Sequence, residues 1–195
     1  MTRLLFISVL IAALVGCAAP SKRPAATQVA RVTRGALPTH WRAVGRVAVK
    51  QAGEGWSAHF DWQQVDERAE VHVQGPLGAG AVLVTLTPGH VRIESASKPP
   101  QEWDAPEDAL ASDRQQPLGW GVPMAALPYW MMGVPELAVP SIDREGGFEQ
   151  RQWQVRPTER TRVGGADIEL PTRLEMSHGD TRLRWVIDQW QVGTP

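Results

Sequence analysis

A single cysteine, Cys17, is all the thiol chemistry in this 195-residue sequence, so no disulfide framework can be built within the chain. Tyrosine occurs once and phenylalanine three times. No apolar run reaches the roughly 20 residues that a bilayer-spanning helix needs. Basic and acidic residues nearly cancel, 20 against 21, so charge points to no nucleic acid or other polyanion. Catalytic patterns are missing too. There is no G-x-S-x-G elbow and no H-E-x-x-H helix, and the histidines His40, His59, His72, His90 and His178 never fall at metal-ligand spacing. Ser57, His59 and Asp61 are the residue types of a hydrolase triad, but they alternate along one extended segment. About 6.5–7 Å per pair is too far for direct hydrogen bonds. Neither a metal nor an organic cofactor is expected.

Tryptophan, glycine and proline are what the chain has in excess. Nine tryptophans supply most of the aromatic surface. With 18 glycines and 16 prolines the chain turns often, which favours short strands over a helical bundle. At 43% hydrophobic and 21% charged residues, it has the composition of one folded domain.

The amino terminus reads separately. Met1 to Arg3 form a short basic start, and Leu4 to Val15 an uncharged apolar run ahead of Gly16 and Cys17. That pattern is an export signal over residues 1–16. Leu14-Val15-Gly16-Cys17 resembles the bacterial lipobox, in which the cysteine becomes a lipid-modified first residue; the alternative is an incidental cysteine in the apolar region. Three acyl chains would anchor the protein permanently, since two membrane signals already suffice. Ala18, where the Gram-negative sorting rule reads aspartate as inner-membrane retention, points to the outer membrane. Residues 17–38 are small, basic and Pro-containing, a flexible tether.

From Trp41 onward alternation dominates. Val44–Val49, Gly55–Trp62, Glu70–Gln74, Ala81–Thr87, His90–Glu94, Arg151–Arg156, Glu169–Met176 and Thr181–Val192 read as strands, with Ala81–Thr87 central because it is the most apolar. Two helices interrupt them. The first follows an N-cap at Asp104 and runs into Asp108–Asp113. The second places Leu127, Trp130 and Met131 at i, i+3 and i+4 and stops at Gly133. The expected fold is a mainly β domain over residues 39–195, one curved antiparallel sheet whose concave face carries a small helical lid.

A sheet of nine to eleven strands that fails to close leaves room for a ligand. One face per strand would then wall an acyl-chain cavity: Val47, Val49, Trp56, Phe60, Trp62, Val71, Val73, Leu83, Leu127, Trp130 and Met131. Methionine suits guests of no fixed shape. The alternative is that the same side chains pack together as core. Gly75-Pro-Leu-Gly-Ala-Gly80 lacks the lysine and the helix of a phosphate loop, and its Leu77 is either exposed or folded back.

Trp41-Arg-Ala-Val-Gly-Arg-Val-Ala-Val49, Gly55-Trp-Ser-Ala-His-Phe-Asp-Trp62, Gly75-Pro-Leu-Gly78, Gly121-Val-Pro123 with Leu127, Trp130 and Gly133, and Leu170-Pro171 before Trp190 together resemble the outer-membrane lipoprotein receptor family LolB. The resemblance implies an incompletely closed antiparallel β half-barrel of about eleven strands, capped by helices. It implies a monomer that takes acylated lipoproteins from the periplasmic carrier LolA and inserts them into the inner leaflet of the outer membrane, among its phospholipids. It also implies that Leu77 is the exposed apolar residue of a protruding membrane-insertion loop. The rival class is an envelope lipoprotein of the same shape that binds another apolar ligand or scaffolds a complex.

Overall fold

The computed structural model describes residues 37–78, 80–104, 121–137, 139–164 and 168–193. Eleven strands run β1 His40–Gln51, β2 Glu54–Val65, β3 Arg68–Gln74, β4 Val82–Thr87, β5 His90–Ser95, β6 Lys98–Asp104, β7 Ser141–Arg144, β8 Gly147–Gln150, β9 Trp153–Val163, β10 Ile168–His178 and β11 Thr181–Val192. They form one sheet in the order β6-β5-β4-β3-β2-β1-β11-β10-β9-β8-β7. Every pairing is antiparallel, and each joins sequence neighbours except that of the first strand with the last, Val47 opposite Trp185 and Val49 opposite Leu183. The sheet is therefore a meander with its opening between β6 and β7, where the helical segment is inserted.

Both edges are protected against pairing with another chain. β6 carries Pro99 and Pro100, which have no N–H to offer, and β7 is short and bears Asp143 and Arg144. The bends depend on glycine. A bulge lies between Val44 and Gly45, and a Cβ on Gly45 would stand 2.1 Å from the Val186 carbonyl oxygen. Gly147 meets the Val155 carbonyl oxygen in the same way, at 2.0 Å. Only glycine lets the strands approach that closely.

The alternation expected along the chain is present in burial. In β1 the side chains of Trp41, Ala43, Val47 and Val49 are buried while Arg46, Ala48 and Lys50 are exposed. Six tryptophans (Trp41, Trp62, Trp130, Trp153, Trp185, Trp190) are buried. At about 150–250 Å² each and roughly 25 cal/mol/Å², each contributes about 4–6 kcal/mol of transfer energy at most. Trp41 stacks on Trp62 at 5.6 Å and meets the edge of Trp190 at 5.3 Å, and Phe60 stands edge-on to Trp185 at 5.0 Å.

The lid is helix α1, Leu127–Met131, with Pro128 in its first turn and Leu127, Trp130 and Met131 all buried, as their spacing requires. Gly133, at φ +75°, ends it: its N–H bonds the Trp130 carbonyl and the Val134 N–H bonds the Tyr129 carbonyl, a Schellman cap.

Four expectations need correction or restriction. The apolar strand β4 lies third from one edge, and β1 holds the centre. Its apolarity on both faces comes from Leu83, half-buried on the outer face opposite His72. Asp104 closes β6 rather than standing free as an N-cap, and the helix expected after it lies outside the described residues. Leu37 and Pro38, assigned to the tether, are partly buried, with Leu37 packed on the core. Cys17 and the rest of residues 1–36 also lie outside the description.

Gly45→Ala is expected to cost about 1–3 kcal/mol, because the obstructing atom is backbone and cannot move aside cheaply. Gly164→Ala, with no atom within 4 Å of the added methyl, should leave the unfolding midpoint unchanged. Urea denaturation of the two variants measures both.

Candidate functional site

The eleven residues expected to wall a cavity divide by register. Ala43, Trp62, Val71 and Val84 stand opposite one another across β1 to β4 and define the inner face. Val47, Val49, Phe60, Trp62 and Val71 lie on it, with Leu127, Trp130 and Met131 from the lid, and all eight are at most 5% exposed. They pack as core. Val73 is half-buried on the same face, opposite Phe60 and Val82. Trp56, opposite Val49, reaches the rim and is 41% exposed. Leu83 belongs to the outer face and leaves the set, because Val84 and Leu86 are the inward residues of β4 and a one-residue step reverses the side chain. The middle of the half-barrel is thus filled where tryptophan and leucine meet.

One unfilled space lies beside this core, under the lid. A crevice of about 370 Å³ is walled by Met124, Pro128, Tyr129 and Met132 on one side and by Trp41, Ala69, Leu86 and Val91 on the other. Its size is at the lower end of the roughly 300–1,000 Å³ usual for ligand sites. Asp66, Glu67 and His90 mark its mouth. None of the eleven expected residues borders it. The signal that could have found it is the helix itself: Met124, Pro128 and Met132 occupy the face of the 124–132 segment that alternates with Leu127, Trp130 and Met131.

A polar clip holds the lid over the crevice. The Gln150 side chain, 2% exposed, accepts from Trp130 Nε1 at 2.8 Å and from the Glu136 N–H at 2.9 Å. Its own NH₂ donates to the Glu136 carbonyl at 3.0 Å and the Val139 carbonyl at 2.7 Å. The Glu136 carboxylate pairs with Arg151 at 3.0 Å, both side chains only 10% exposed. Arg151 and Gln152 form the two-residue turn between β8 and β9, with φ of 50° and 64°. Non-glycine residues there cost about 1–2 kcal/mol each, and the Glu136 ion pair offsets part of that cost. Sequence reasoning missed Gln150, Glu136 and Arg151, since a lone buried glutamine has no periodic signature.

A larger groove of about 670 Å³ opens at the β2–β5 end of the sheet, bordered by three of the expected residues, Phe60, Val73 and Leu83, together with the polar His59, Asp61, His72 and Glu94. Asp61 is bound to Arg42 Nε at 2.8 Å and NH2 at 2.5 Å rather than to His59. Those hydrogen bonds hold the Asp61 carboxyl below its usual 3.8, against the opposing effect of partial burial. Leu77 sits in the 3₁₀ turn Pro76–Gly78; its side chain lies outside the description.

An open antiparallel half-barrel with a helix clipped above an apolar crevice defines a class of binders for apolar groups. The family model described as "Outer membrane lipoprotein LolB" matches residues 39–190, nearly all of this sheet and its lid. Outer-membrane lipoprotein LolB of Chromohalobacter salexigens is 32% identical over 94% of this chain and 88% of its own length. Its namesakes from Halorhodospira halophila, at 32%, and Pseudomonas putida KT2440, at 30%, each align with 93% of this chain and 92% of their own length. The chain belongs to the LolB family. A LolA superfamily protein from Nitrosomonas europaea shares the fold at a TM-score of 0.51, with 9% identity over 82% of this chain and 89% of that one.

Gln150→Leu should destabilise the protein by about 2–4 kcal/mol, because it strands the Trp130 and Glu136 N–H groups in an apolar setting. Hydrogen exchange should quicken first in residues 134–139, and uniform protection there would show that the clip does not hold the lid.

Proposed function

We propose that this protein is an outer-membrane receptor that accepts acylated proteins from a periplasmic carrier of the LolA kind and inserts them into the inner leaflet. The observation that carries the reading is the match of the LolB family model across residues 39–190, nearly all of the half-barrel with its lid. Relatives of similar length bear the name of an outer-membrane lipoprotein. Fold similarity to a LolA superfamily protein fits a hand-over between two related shapes.

The physical need is large. At about 0.8 kcal/mol per buried CH₂, three acyl chains resist entering water by roughly 30–40 kcal/mol. A protein surface must replace the bilayer at each stage. Transfer without an energy-yielding step requires that acyl affinity rise from carrier to receptor to membrane. The crevice under α1 offers the acceptor surface, with Met124 and Met132 able to repack around chains of different length. Lipid attached at Cys17 anchors the receptor, and Leu77 at its turn helps release the cargo into the bilayer. The protein acts as a monomeric binder, not as a catalyst.

The test is to load a carrier with an acylated protein and follow the cargo onto this chain and then into liposomes. Ala125→Trp, exposed at the crevice, should weaken capture at least about tenfold, roughly 1.4 kcal/mol, without moving the melting temperature. Leu77→Glu should capture normally and insert slowly. Undiminished capture by Ala125→Trp would remove the crevice from the pathway, and absence of any transfer would favour an envelope protein with another apolar ligand.

A further inference from the structure

The outer face of the sheet is not evenly charged. Lys50 on β1 stands opposite Arg182 on β11, and Ala48 stands opposite Arg184. Across β10, Arg184 faces Glu175, which in turn faces Arg156 on β9. These side chains line a groove of about 490 Å³ that crosses four adjacent strands. Arg184 is spent on Glu175 at 3.2 Å. Lys50, Arg156 and Arg182 are exposed, and among the described residues no carboxylate pairs with them. Among the described residues Glu175 is the only acid lining the groove; Glu54 begins β2 and Asp180 lies on the turn before β11. In a chain of net charge −1, that is a local excess of like charge held together by strand register.

The position of the groove says what it meets. Lys50 is one residue from Val49, whose partner on β2 is the exposed Trp56. The Pro76–Gly78 turn follows β3, whose Gln74 pairs with His59, and it lies against β2 beside that same rim. Strands about 4.8 Å apart place the turn, Trp56, Lys50 and Arg182 in one row. A tryptophan at the edge of an apolar face with cations just behind it is the arrangement that suits a bilayer interface.

We propose that the groove, through Lys50, Arg156 and Arg182, binds the phosphate of phospholipid headgroups, turning the rim that carries Trp56 and the Pro76–Gly78 turn toward the membrane. Lysine supplies a point charge and the arginines planar forks for phosphate oxygens. This rests on the receptor reading, because it presupposes a membrane within reach. Residues 17–36, at most about 3.3–3.6 Å each, outreach the roughly 40 Å of β1, so an anchor at Cys17 leaves the opposite rim free to descend.

The mature lipidated chain carrying Ser57→Cys as its one labelling site is placed in nanodiscs of phosphatidylethanolamine with phosphatidylglycerol. Energy transfer from the label to a headgroup dye reports contact between rim and bilayer. Lys50→Gln with Arg182→Gln should lower the contact equilibrium about thirtyfold, roughly fivefold for each cation. Inorganic phosphate should release the wild-type rim more than chloride of equal ionic strength. Arg173→Gln, outside the groove, should change nothing. Unchanged contact in the double variant overturns the proposal. So does phosphate binding by calorimetry with no contact, which would make this a free-anion site. Unchanged contact with impaired cargo acceptance would assign the groove to an acidic protein instead. Acceptance of cargo from a loaded carrier, followed in the same samples, separates failure of this inference from failure of the receptor reading.

Discussion

Strand β1 is hydrogen-bonded along its length to the last strand, and the rest of the molecule depends on that seam. Because the two ends of the sheet's sequence meet at its centre, every other strand can pair with its immediate neighbour. The one break in the meander then falls where the chain leaves β6 and returns at β7. The seam also gathers the aromatic core. Trp41 on β1 and Trp185 and Trp190 on β11 flank it, with Trp62 and Phe60 one strand away. Gly45 sits at its bulge, where the approach of Val186 leaves room for no side chain. Curvature, core and opening follow from one strand pairing.

That arrangement separates the packed core from the open crevice. The middle of the inner face is close-packed, with Trp130, Met131, Leu170 and Leu174 inaccessible to water. Such a core resists deformation. The crevice lies to one side of it, and its cover hangs from Gln150, Glu136 and Arg151 rather than from apolar packing alone. A helix of five residues has little stability of its own, so its position is set by these contacts and by the Gly133 cap. The crevice thus opens at a margin of the core and not through it.

Much of the sheet was legible because a half-buried strand writes its two faces into alternate residues. Thr181–Val192 and Val44–Val49 are of this kind, and both are strands. β6 was not legible, since Lys98-Pro-Pro-Gln contradicts strand propensity and is tolerated only at an edge. β7 and β8 were too short to show a period around Gly146-Gly147. The site was read less well than the sheet. Alternation locates the inner face, yet it cannot distinguish a residue that packs on another, such as Val47, from one that borders empty space, such as Ala69. Leu83 was misassigned because a uniformly apolar strand does not reveal which side faces in.

By itself the sequence determined the mainly antiparallel β architecture, the lid helix with its buried stripe and glycine stop, and the kinship that the tryptophan and glycine spacings carry. These are local or periodic properties, encoded wherever polarity follows the repeat of the backbone. Tertiary structure alone decided that β1 joins β11, that the tryptophans fill the centre, that a crevice opens under Met124 and Met132, and that one glutamine secures the lid. Those outcomes depend on contacts between residues far apart in the chain, where volume and hydrogen-bond geometry select among patterns that polarity leaves equivalent.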